Sequence, residues 1–145
     1  MNTICLKGAR IIDPSIESDE KRDIYFYDNK IINPRDAKNI EYIDASGKII
    51  FPGLVDLRCH INDLSGGNCE NIFSVTRAAA AGGYSTVVLM PNLNPIPDNP
   101  ATIQFINDQI KKDACINVKL TGCLTKGSKG KALAPLGSLK NAGVV

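Results

Sequence analysis

"GLVDLRCHI", residues 53–61, is a near-continuous apolar run interrupted by Asp56, Arg58 and His60. A run of this kind suits a strand covered on both faces, as in a parallel sheet. The chain beyond it keeps a strand–helix rhythm. "ENIFSVTRAAAA" (70–81) sets Ile72, Val75 and Ala79 at helical spacing, and Gly82-Gly83 supplies the stop. "YSTVVLM" (84–90) reads as a second buried strand ended by Pro91. Asp98 is the predicted N-cap of a helix over 99–113, with Ile103, Ile106 and Ile110 in one stripe and Lys111-Lys112 suiting the C-terminal dipole. "CINVKLTGCL" (115–124) reads as a third strand and "APLGSLKNAG" (134–143) as a short helix; Val144-Val145 would begin a fourth strand.

Before Gly53 the rhythm differs. "TICLKGARII" (3–12), "DIYFYDNKII" (23–32) and "EYIDASGKII" (41–50) are short strand-like runs, with Asp28-Asn29 and Ser46-Gly47 as turn residues. The predicted organisation is therefore a small β-sandwich-like segment over 1–52 and an α/β segment over 53–145. Repeated β-α units with short connections imply a parallel sheet, either doubly wound or part of a closed (β/α)8 TIM-type barrel. A barrel needs about 250 residues. Three complete units are readable here, so the expectation is a truncated barrel of three to four units.

Composition excludes several classes. Net charge is +2, with basic and acidic residues interspersed, which gives no nucleic-acid footprint. No window approaches the roughly 18 apolar residues of a membrane span, and "MNTICLKGAR" lacks the pattern of a secretory leader. The five cysteines are odd in number, widely spaced and never C-x-x-C. A reduced, cytoplasmic protein with buried thiols is the expectation.

In parallel α/β folds the functional groups gather at the C-terminal ends of strands. Those ends here are "DLRCHIND", "LMPNLNPIPD" and "GCLTKGSKG". His60 is the single histidine of the chain. Side chains at i and i+2 of a strand share a face, so a strand-end pair of imidazoles at that spacing could grip one metal ion. Here the partner position is Arg58, which has no lone pair to give. Cys59 alternates with Arg58 and His60 and should pack under a helix. Thr125, Lys126, Gly127 and Gly130 resemble a phosphate loop only loosely, because G-x-x-x-x-G-K-[ST] is absent.

"FPGLVDLRCHI" (51–61), "AAAAGGYSTVVLMPNLNPIPD" (78–98) and "LTKGSKGKAL" (124–133) together resemble the N-terminal third of dihydroorotases, in the amidohydrolase superfamily. The resemblance runs essentially the length of the chain. It implies a (β/α)8 barrel preceded by a small β-domain, and the reversible hydrolysis of dihydroorotate to N-carbamoyl-L-aspartate in pyrimidine synthesis. It also implies zinc, held in the family by a D-x-H-x-H motif. Asp56 and His60 match that motif, with Asp56 in a supporting place, and Arg58 replaces its first histidine. Asn92 matches a substrate-contacting asparagine. Asn62 replaces the arginine that clamps the substrate carboxylate, without its bidentate fork. Glu70 matches an acidic position, and Pro91, Pro95 and Asp98 match loop-shaping ones; the family's remaining ligands lie further along.

Three readings arise from the resemblance. The first is a non-catalytic homologue with zinc weak or absent, a structural partner of aspartate transcarbamoylase in a homo- or hetero-oligomer. The second is an N-terminal fragment of an active zinc-dependent dihydroorotase. The third is a non-functional remnant. A purely structural reading of Arg58 has it pair with Asp56 or Asp63, a salt bridge filling the space of a metal.

Overall fold

The computed structural model describes residues 2–61, 64 and 70–145. The chain divides into two compact units, Met1–Pro52 and Gly53–Val145. No helix among the described residues is long and apolar enough to cross a membrane.

The first unit carries strands β1 (Thr3–Asp13), β2 (Ser18–Tyr27), β3 (Lys30–Ile32), β4 (Ile40–Asp44) and β5 (Ile49–Ile50). They form one mixed sheet in the order β3-β2-β1-β4, with β5 also on β1. β1 runs antiparallel to β2 and parallel to β4 and β5. Asp28 and Asn29 have φ of 47° and 59°, the paired left-handed residues of a two-residue hairpin turn. A bulge interrupts β1 between Leu6 and Ala9. Gly8 sits in it at φ 75°, and its N–H donates to Asp23 Oδ1 at 2.8 Å. The left-handed backbone there favours glycine. Thr3, Cys5, Ala9, Ile11 and Ile24 are the buried side chains of this sheet.

The second unit is a three-stranded parallel sheet of β6 (Leu54–Cys59), β7 (Tyr84–Leu89) and β8 (Asn117–Leu120), in that order. α1 (Ile72–Ala81) connects the first pair and α2 (Pro100–Asp113) the second; α3 (Leu136–Asn141) follows β8. The β6, β7 and β8 runs shorten to their hydrogen-bonded cores, and the helices start slightly later than the spacing suggests. Val145 N–H donates to Leu120 O at 3.1 Å, so the chain turns back onto β8 after α3.

The core of this unit lies between sheet and helices. Val87, Leu89 and Leu120 meet Ile72 of α1, Ile103 and Ile106 of α2, and Leu139 of α3. Glycine at 53 has a steric cause: a Cβ there would stand 2.4 Å from Ser85 Cβ. Thr76 is buried within α1. Its hydroxyl donates to Ile72 O at 2.8 Å and accepts Cys115 N–H at 3.3 Å, tying α1 to the residues before β8.

Side chains cap both long helices, and at α2 the cap differs from the sequence expectation. α1 starts at a reciprocal capping box: Asn71 Oδ1 accepts Ser74 N–H at 2.9 Å, and Ser74 Oγ accepts Asn71 N–H at 3.0 Å. Asn99, not Asp98, caps α2, accepting Thr102 N–H at 3.0 Å with Pro100 opening the helix. Asp98 is drawn away because its carboxylate accepts Gly127 N–H at 2.7 Å from another loop.

Candidate functional site

The site residues collect where β6 and β7 end. β6 does not keep strict alternation. Asp56 pairs with Val87 and Cys59 with Leu89, so three residues of β6 span two of β7. This bulge turns both Asp56 and Cys59 toward the helix layer, where a cleft of about 280 Å³ is lined by them with His60, Glu70, Val75 and Ala79. Strict alternation therefore does not carry from Asp56 through to His60. A bulge shifts the phase by one residue.

The expected ion pair between Arg58 and Asp56 does not form. Asp56 Oδ1 instead accepts the backbone N–H of Arg58 at 2.8 Å, a local turn that leaves the guanidinium exposed. Among the described residues Arg58 enters no salt bridge; Asp63 and Asn62 lie outside those residues. Cys59 is buried, and burial pushes its thiol up, helped by the nearby carboxylates of Asp56 and Glu70. A thiol held protonated is a poor ligand.

His60 and Asn92, thirty-two positions apart in sequence, are brought together: His60 Nδ1 lies 3.1 Å from Asn92 Oδ1. The rung that sets this up is Met90 N–H donating to Cys59 O at 2.9 Å. A second cleft of about 430 Å³ opens beside the pair, lined by His60, Asn92, Met90, Leu93, Ile96 and Ser128. The loop carrying Asn92 is anchored from β8 and beyond. Cys123 N–H donates to Pro97 O at 2.9 Å, Cys123 Sγ donates to Pro91 O at 3.5 Å, and Asp98 holds Gly127. Those amide and side-chain hydrogen bonds keep the Asp98 carboxyl below the usual range, Gly127 first and Asn99 second. The Asp98–Gly127 tie is the feature that the sequence does not announce, because Asp98 fits an N-cap equally well.

The 125–130 loop is no phosphate cradle. Its amides are already used: Gly127 on Asp98, Ser128 on Thr125 O, Lys129 on Lys126 O and Gly130 on Thr125 Oγ1.

The donor set can be tested against zinc. A hydrolytic zinc site takes three protein ligands plus water. Among the described residues no three His, Cys, Asp or Glu side chains cluster to hold a metal. His60 offers one nitrogen, Asp56 is turned to the helix side, and Arg58 brings a positive charge. No buried side-chain polar atom among these residues lacks a partner. The described residues do not by themselves fit a hydrolytic zinc.

The fold has clear relatives. It is similar to an L-hydantoinase (dihydropyrimidinase) from Arthrobacter aurescens, with TM-score 0.72 and 22% identity over 88% of this chain and 29% of that one. A D-hydantoinase (dihydropyrimidinase) from Thermus sp. gives TM-score 0.68 and 23% identity over 95% of this chain and 30% of that one. The class is thus a mixed α/β protein built like part of the hydantoinases. Residues 47–145 match the dihydro-orotase-like family model, and the chain belongs to that family. It is 40% identical to a dihydroorotase of Pelotomaculum thermopropionicum over 98% of its own length, and 42% identical to one of Clostridioides difficile over 97%. It spans about a third (34%) of the length of each of these relatives.

Proposed function

We propose that this chain is a dihydroorotase-like protein of pyrimidine biosynthesis that is non-catalytic as residues 1–145 and acts as a structural partner of aspartate transcarbamoylase in the cytoplasm. In this reading residues 53–145 form the first three β/α units of a (β/α)8 barrel, and residues 1–52 form its small β-domain. His60 and Asn92 correspond to the metal-binding and substrate-binding positions of the family, with Asp56 supporting and Asn62 in the place of the substrate arginine. The observation that carries the reading is the donor count at the end of β6: one imidazole, one carboxylate already bonded to a backbone N–H, and an arginine.

The experiment is an assay of the purified chain for interconversion of dihydroorotate and N-carbamoyl-L-aspartate with zinc added. No turnover is expected. The variant Arg58→His is expected to be equally silent, because it restores one donor where a hydrolytic site needs three. Zinc-dependent turnover by either protein sinks the non-catalytic reading. The partner half is tested by light scattering of the chain mixed with aspartate transcarbamoylase; the reading requires a stable complex.

One observation favours a second reading. The chain spans 34% of its relatives' length, which suits the N-terminal part of an active zinc-dependent dihydroorotase whose other ligands lie outside residues 1–145. The intact mass of the protein from its own cells separates the two. A mass near 15.6 kDa supports the first reading, and one roughly three-fold larger supports the second.

A further inference from the structure

The contact between His60 and Asn92 carries a consequence independent of any activity. An amide oxygen can only accept a hydrogen bond, so Asn92 Oδ1 at 3.1 Å from His60 Nδ1 requires the proton on Nδ1. We infer that Asn92 is a positioning residue that fixes His60 as its Nδ1–H tautomer and leaves Nε2 as a bare lone pair.

Neutral imidazole free in water favours the opposite tautomer, so the selection needs an acceptor held in place. The backbone supplies one. Cys59, next to His60, is joined through its carbonyl to Met90 N–H at 2.9 Å, two residues before Asn92. The far side of the Asn92 loop is held by Cys123 at both Pro91 and Pro97, and by Asp98 on Gly127. Ring and amide thus sit on adjacent, paired backbone, and the bond between them costs little further ordering. Which nitrogen of a histidine is free is set by the bond the other makes. The result is a single nitrogen donor beside the cleft lined by Met90, Leu93 and Ile96. It could receive one hydrogen-bond donor or one Lewis acid whether or not further ligands exist.

The chain holds one histidine, so a long-range ¹H–¹⁵N spectrum of the imidazole contains one residue only. It is recorded at a pH raised until the doubly protonated signature of the ring has gone. The expected pattern is a protonated-type resonance at Nδ1 and a lone-pair-type resonance at Nε2. Asn92→Ala removes the acceptor and should swing the population toward Nε2–H. Asn92→Asp keeps an oxygen acceptor and should retain Nδ1–H. Asn92 is exposed, and the backbone amide spectrum checks that each variant stays folded. A wild-type ring carrying its proton on Nε2, as a reversed Asn92 amide would demand, overturns the inference. So does an Asn92→Ala spectrum with the wild-type pattern. Should Asn92→Ala not fold, the wild-type and Asn92→Asp spectra decide alone. No zinc, substrate or turnover enters the readout, so its failure is separate from failure of the proposed function.

Discussion

Leu89 and Leu57 belong to the same parallel sheet, yet Leu89 is 2% exposed and Leu57 is 73% exposed. Leu89 sits on the face that α1 and α2 cover, with Val87 and Leu120. Leu57 sits with Val55 on the other face, where Val88 of the middle strand is the buried exception. Both leucines come from apolar runs that read alike. An apolar run reports that a strand can be covered twice; the elements actually packed on it decide how much of that is realised. Within this unit the helix face is where the apolar area is removed from water, and stability should track that division.

The largest test of the division is Leu89→Ala. Truncating a buried leucine removes its transfer free energy and leaves a cavity, costing about 2–5 kcal/mol. Denaturant unfolding of the variant should show that loss with an unchanged slope. A loss well under about 1 kcal/mol would mean that the two faces do not differ in packing.

Thr76→Val comes next. The shapes are similar, but the hydroxyl that accepts Cys115 N–H and donates to Ile72 O is lost. Cys115 is exposed and the bond only part-buried, so its loss costs about 0.5–1.5 kcal/mol. Hydrogen exchange reads it locally: Cys115 N–H should exchange faster while the Ile103 amide of α2 changes only with global stability.

The division of strands and helices over 53–145 was legible in the sequence because hydrophobic period, glycine stops and prolines punctuate it. The polar start of β2, Ser18–Arg22, was not legible, because its pairing comes from β1 and not from its own pattern. At the site, His60 and Asn92 could be singled out, since both stand at strand ends. The β6 bulge could not be, because no glycine marks it and only the register with β7 reveals it. Asp98 shows the same limit in a cap: two adjacent residues fit the N-cap, and a tertiary partner, Gly127, decides between them.

The Asp98–Gly127 tie gives a smaller, pH-dependent effect at the rim between the loops. Its folded carboxyl titrates below the ordinary value of about 3.9, so ionisation favours the folded state. The stability it contributes is present above the unfolded pKa and is lost as pH falls through the folded one. Asp98→Asn should therefore lower Tm at pH 7, and the gap to wild type should close as pH drops below the ordinary carboxyl range. A gap that stays constant down to that range would assign the effect to packing and not to charge.

The smallest effect is expected at Leu57→Ala, and it sharpens the opening comparison most. In residues 1–145 the side chain is largely in water already, so truncation should change stability by less than about 0.5 kcal/mol. In a chain of the relatives' full length, the proposed barrel would close over this face, and the same substitution should then cost the 2–5 kcal/mol or so of a buried leucine. Paired unfolding curves of the short and long chains read the difference directly. A large loss in the short chain would show that something already covers this face, and concentration dependence of its midpoint would identify a second copy as the cover. Equal, small losses in both chains would remove the barrel from the reading, because a closed barrel leaves no such leucine in water.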